Sequence, residues 1–403
     1  MITKSLLELI YEAANIQRWN DHLRPQGFTE IDKQSHKMFI AYVLAKFEED
    51  DRNLSVDWVR LIEGGIFEFL HRVVLTDIKP PIFHKLMSES GEKLNNWVLE
   101  QLGRDVEVLS GNFCENFRKY LFEEGFCPLE KKILRASHYL ATNWEFNIIY
   151  NLNRGIYGVD ETKSKIENEL EEHYHLAGVQ KLGLKKKTYN FIDLVGQLRF
   201  QKRWAHSPRV PETSVLGHML IVAILSYLIS LELKAYPQRA RNNFFAGLFH
   251  DLPEILTRDI ISPIKRSVEG LEELLKEIEK RQVDEKILPL LPEAWHRELK
   301  YFVEDEFKNR VLVGGQVKFV NDEEINGAFK GDSFFPVDGE MIKGCDHLSA
   351  FIEASLSLSH GITSRHLEEA LNSIFKSSRG RKSGDFAFAP LFDYFMRDGD
   401  GSR

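Results

Sequence analysis

Two stretches of the chain share one frame. Residues 65–77 read GIFEFLHRVVLTD and residues 247–259 read GLFHDLPEILTRD. At a constant offset of 182 residues, Gly65 pairs with Gly247, Phe67 with Phe249, Leu70 with Leu252 and Asp77 with Asp259. The match runs on through Ile78/Ile260, Pro81/Pro263 and Ile82/Ile264, and back to His36/His218. Further segments correspond around it. IQRWNDHLRP (16–25) resembles QKRWAHSPRVP (201–211), and RASHYLATNWE (135–145) resembles KGCDHLSAFIE (343–353) at an offset of 208. An internal repeat of this length constrains a chain strongly, because both copies must find one and the same way to bury their apolar faces. The reading is a duplicated domain: copies at 1–155 and 188–380, a charged connector at 156–187, and a tail at 381–403.

The apolar residues recur at three- and four-residue spacing in 4–14, 36–47, 60–75, 219–233, 244–256, 271–282 and 346–358, which predicts helices. Only 310–320, RVLVGGQVKFV, alternates like a strand pair. The expected class is all-α. The most apolar run, MLIVAILSYLISL (219–231), is shorter than the ~20 residues a bilayer needs and predicts a buried core helix. The start carries acids and lacks a signal-peptide pattern. Cys114, Cys127 and Cys345 show no CxxC spacing, which fits reduced thiols in the cytoplasm. A net charge of −8 argues against stable nucleic-acid binding, and no membrane association is expected.

The second copy places His218, His250, Asp251 and Asp346 within or at the ends of apolar helices. A buried aspartate requires a cation or strong donors. Two imidazoles and two carboxylates suit a divalent transition metal, which lowers the pKa of a bound water. Adjacent helical residues point about 100° apart, so His250 and Asp251 can share a metal only near a helix end or among several helices. Glu254 follows His250 by four residues on the same helical face, and Asp259 lies just beyond.

These blocks resemble the HD-domain metal-dependent phosphohydrolases, and within them most closely the bacterial HD-domain 5′-deoxynucleotidases. The resemblance covers about 190–375. It rests on Arg203-Trp204, His218 fifteen residues after Arg203, the block His250-Asp251 with Glu254, Leu256, Thr257 and Asp259, then Pro263 with Lys265, and the late Asp346. It implies two tandem HD-type helical domains, the first degenerate. It implies that His218, His250, Asp251 and Asp346 hold one divalent metal: Mn, Co, Fe, Ni or Zn, with Mg as an option. Glu254 and Asp259 would be catalytic, positioning or activating the attacking water or protonating the leaving group. Arg203 would grip phosphate, Trp204 would line the sugar or base side, and Lys265 would add charge near the phosphate. The implied substrate is a nucleotide or other small phosphoester, and the implied activity is 5′-nucleotidase-like hydrolysis. Where the family has a glutamate before the first metal histidine, this chain has Gly217, and the 205–216 wording also departs.

The first copy has Glu68-Phe69 at the His250-Asp251 positions, Arg72 at Glu254 and His138 at Asp346. Phenylalanine cannot ligate a metal and Arg72 would repel one. The expectation is a non-catalytic copy kept for packing, dimerisation or ligand sensing, with Arg18-Trp19 and Arg72 leaving a positive pocket. Either a homodimer or an internal pseudo-dimer fits the repeat. Other readings of the whole chain are hydrolysis of a nucleoside triphosphate or alarmone, and a nucleotide sensor whose metal is structural.

Overall fold

The computed structural model describes residues 1–25, 27–76, 78, 80–257 and 270–396. The class is all-α. Among the described residues the strands form only three two-stranded antiparallel pairs. The longest joins Arg310–Val313 to Gln316–Phe319, turned by Gly314 and Gly315 at positive φ, so the alternating run is a hairpin.

Two helices occupy the centre, Glu30–Arg52 and Val215–Glu232, and they pack on each other. Val215–Glu232 is apolar on all sides and is buried from Val215 to Ser230, as such a helix must be. Its 18 residues have the length and hydropathy of a membrane span, but 89% of that window lies inside the protein. It is a core helix. Pro237–Phe249 and Gly339–Ser359 pack against it, while Pro128–Leu152 packs against Glu30–Arg52. The apolar core runs without a break from Ile2 to Phe395. Rings of the two halves interlock there, with Phe39 and Phe249 centred 4.9 Å apart and Tyr42 and Phe245 5.1 Å apart. The tail docks through buried Phe388, Leu391, Phe392 and Phe395.

Each central helix is entered the same way. A short antiparallel ladder pairs Gln17 with Thr29 and Arg18 with Phe28 in the first half, and an isolated antiparallel bridge pairs Lys202 with Ser214 in the second. Thr29 and Ser214 are the N-cap residues. Trp19 and Trp204, just after the bridges, both adopt left-handed backbone, with φ of 54° and 55°. This frame has an offset of 185, and it corrects the pairing of His36 with His218. The residue four beyond the N-cap is His218 in the second half and Lys33 in the first. His36 lies about one turn further along, a spacing at which a helical residue shares nearly the same face. Its Nε2 lies 2.9 Å from the Ile192 carbonyl oxygen.

Candidate metal centre

The HD pair sits at a helix end. Pro237–Phe249 stops at Phe249, His250 to Pro253 form a turn, and one helical turn follows at Glu254–Thr257. Pro253 disfavours helical backbone at the residue before it. His250 still has helical backbone (φ −57°, ψ −40°), and Asp251 follows it in the turn. Gly247 brings the pair close to the core helix: a Cβ there would lie 3.1 Å from the Ala223 Cα and 3.2 Å from the Ser226 Oγ.

Three side chains converge as a result. Ligand atoms of His218, His250 and Asp346 all lie within 4.8 Å of one another, the one such His/Cys/Asp/Glu group among the described residues. His218 Nε2 is 3.0 Å from Asp346 Oδ1. Asp251 stands against both rings, its Oδ2 3.2 Å from His250 Nε2 and 3.7 Å from His218 Nε2. Both Nε2 atoms are buried, and neither is aligned for a hydrogen bond despite these near oxygens. The other ring nitrogens are engaged. His250 Nδ1 lies 2.7 Å from the Gly247 carbonyl oxygen, and His218 Nδ1 lies 3.0 Å from Ser349 Oγ. A Nδ1–H donated to a carbonyl leaves a lone pair on Nε2, the form a metal ligand needs.

The electrostatics ask for a cation. Burial pushes the His250 imidazole down, but adjacent Asp251 and then Asp346 outweigh it and raise it to about 9. Burial followed by Arg203 lowers His218. Against the cost of burial, His250 pulls Asp251 down to about 2, and His218 holds Asp346 well below the usual carboxylate range. A site that draws a proton this strongly exchanges it for a divalent metal when one binds. The donor set therefore fits such an ion.

Beside the trio lies a clamp built on Glu353, buried on the Gly339–Ser359 helix. Its Oε2 accepts from Arg203 Nε at 3.3 Å and Trp204 Nε1 at 2.8 Å, and its Oε1 accepts from Thr213 at 2.6 Å. Arg209 Nη1 is 3.8 Å away. Arg203 Nη1 also reaches to 3.7 Å from Asp251 Oδ2, so the clamp borders the trio. The segment from Lys202 to Glu212 lines a cleft of about 330 Å³ that includes Arg203, Trp204 and Arg209, the size of a small-ligand pocket.

Of the residues expected from sequence, Arg203, Trp204, His218, His250, Asp251 and Asp346 thus come together. Glu254 is buried on the turn four residues past His250. Asp259 and Lys265 lie outside the described residues. His206 faces His366 with ring centroids 5.3 Å apart, and His347 Nδ1 lies 2.6 Å from Ser378 Oγ. Sequence reading missed Glu353, although it closes the repeated segment as Glu145 does in the first copy. It also missed Arg209, and Tyr11, whose hydroxyl lies 2.9 Å from the Ser349 Oγ that contacts His218. The Gly217 departure has a structural reason. A Cβ at Gly217 would lie 3.0 Å from Asp32 Oδ1, so a carboxylate of the first half occupies the space beside that position.

Comparison with known proteins agrees with this geometry. Residues 195–375 match the family model for an HD domain. A 5′-deoxynucleotidase of Vibrio atlanticus (strain LGP32) is 23% identical over 213 residues, covering 52% of this chain and 92% of that protein. With an HD domain at 195–375 and this similarity, the second half of the chain resembles the HD-domain metal-dependent phosphohydrolases.

Proposed function

We propose that the protein removes phosphate from nucleoside or deoxynucleoside 5′-monophosphates in the cytoplasm. The observation that carries this reading is the His218–His250–Asp346 trio with Asp251 against it, bordered by the Arg203–Trp204 cleft. The similarity to a 5′-deoxynucleotidase supports the substrate class. His218, His250, Asp251 and Asp346 hold one divalent metal, of the transition series or Mg. When bound, it lowers the pKa of water and offsets phosphate charge.

The remaining roles fall to side chains. Arg203 lies 3.7 Å from Asp251, near enough for its fork to meet a phosphate beside the metal. Glu353 positions Arg203 and Trp204 together, so the phosphate grip and the wall of the cleft move as one unit. Glu254, on the turn that follows the HD pair, orients the attacking water or passes a proton. Asp259 takes the complementary proton role, and Lys265 adds charge at the phosphate. The first half supplies Tyr11 and Asp32 to the surroundings of the site.

The test is phosphate release from ribo- and deoxyribonucleotides, mono- to triphosphate, with Mn²⁺, Co²⁺ or Mg²⁺. The expected result is release from monophosphates first. Preferential release from triphosphates, or from an alarmone alone, would move the chain to another phosphoester. No release from any substrate would make the site a nucleotide sensor.

A further inference from the structure

His218 and His250 both turn Nε2 toward the aspartates, but their Nδ1 atoms meet different partners. His250 Nδ1 lies 2.7 Å from the Gly247 carbonyl oxygen. A carbonyl can only accept, so a proton is held on Nδ1 and the neutral ring keeps its lone pair on Nε2. His218 Nδ1 instead lies 3.0 Å from Ser349 Oγ, and a hydroxyl can donate to an imidazole as well as accept from it. Were Ser349 to donate, the neutral His218 ring would carry its proton on Nε2 and could not ligate through that atom.

The first half decides the direction. Tyr11, buried on the helix Lys4–Glu12, places its hydroxyl 2.9 Å from Ser349 Oγ and 3.0 Å from the Ser349 carbonyl oxygen. Ser349 itself is fully buried on the Gly339–Ser359 helix. Burial, then nearby Glu353, push the Tyr11 phenol well above its usual range, so it keeps its proton. One arrangement satisfies every contact. Tyr11 donates to the Ser349 carbonyl oxygen, the Ser349 hydroxyl donates to Tyr11 Oη, and His218 Nδ1–H donates to Ser349 Oγ. In the reverse arrangement Tyr11 donates to Ser349 Oγ and Ser349 donates to Nδ1. The phenol oxygen then faces the carbonyl oxygen with no proton between them, a buried acceptor pair that costs free energy.

We infer that Tyr11 is a positioning residue of the metal centre: by accepting from the Ser349 hydroxyl, it fixes His218 in the tautomer that leaves Nε2 free to ligate. The inference rests on the reading of His218 as a metal ligand. It gives the first half a chemical task at a site built from the second, across 338 residues of chain.

The test is a double-mutant cycle on the full chain, with Mn²⁺ affinity measured by counting free Mn²⁺ in paramagnetic resonance, and Tm recorded beside it. Tyr11→Phe is expected to weaken Mn²⁺ binding about tenfold and Ser349→Ala about ten- to hundredfold, the range for partners that orient a metal histidine. In the Ser349→Ala background, Tyr11→Phe should change Mn²⁺ affinity by less than about twofold, because the hydroxyl it acts through is gone. It should still lower Tm there, since the backbone carbonyl remains a partner of Tyr11. Equal weakening by Tyr11→Phe in both backgrounds would make Tyr11 a packing residue and overturn the inference, as would unchanged affinity in Tyr11→Phe alone. Failure of the wild type to take up Mn²⁺ would overturn the metal assignment itself, and the inference with it.

Discussion

Glu353→Gln is the most informative single change. Glu353 is buried, and burial alone would raise its pKa; Arg209 and Arg203 instead lower it to about 2. Against 4.5 for a free glutamate, this corresponds to about 3 kcal/mol of native stability. The folded value is depressed, so this stability is present above pH ~4.5 and is lost as pH falls toward 2. Glutamine removes the negative charge that faces the guanidiniums of Arg203 and Arg209. It also turns an amide N–H₂ toward some of the four donors now aimed at the carboxylate. Breaking a buried pair in this way costs ~3–5 kcal/mol, a fall in Tm of roughly 4–6 °C for a chain of this size. If Arg203 grips substrate phosphate, KM should rise more than kcat falls, with kcat/KM lower by about tenfold or more. Scanning calorimetry and steady-state phosphate release read the two effects separately. Glu353→Asp, which keeps the charge, should recover part of both. A glutamine variant with wild-type Tm and a KM within about twofold of wild type would refute the reasoning.

Tyr11→Phe should cost about 1 kcal/mol of stability. It should also weaken Mn²⁺ binding about tenfold, because Tyr11 orients His218 through Ser349; unchanged titrations would remove Tyr11 from the site. Burial, then Arg199, lowers buried His36 from 6.5 to about 3. Its contribution is therefore intact above pH 6.5 and lost as pH falls toward 3, about 2 kcal/mol by pH 5. Urea unfolding at pH 7.5 and 5 should show a smaller difference in His36→Gln than in the wild type, and an equal difference would disprove the assignment. His250→Ala should abolish metal uptake measured by elemental analysis, while full occupancy in that variant would exclude His250 as a ligand.

The helical class and the core helix were legible because periodicity and an all-apolar surface are local properties of the sequence. His218, His250 and Asp346 stood out in the sequence because several separated blocks together resemble one family, whereas the His250-Asp251 dipeptide alone is common. The register of the first half was not. His36 imitates His218 in identity, but the N-cap bridges show Lys33 in that place, and a three-residue slip is nearly invisible on a helix. Glu353 and Tyr11 were missed for a different reason. Their roles arise from contacts 140 to 338 residues apart in sequence. Gly217 read as a loss, yet its missing side chain makes room for Asp32.

The central claim is that the His218–His250–Asp346 centre hydrolyses phosphoesters only with a metal bound. The most direct measurement is phosphate release from a deoxynucleoside 5′-monophosphate by EDTA-stripped protein, before and after Mn²⁺, Co²⁺ or Mg²⁺ is returned. Asp346→Ala and Asp251→Ala are run alongside, with folding verified by Tm. The account predicts no release in EDTA, recovery with metal, and no recovery in either variant. Release that persists in EDTA, or full activity in Asp346→Ala, would contradict it.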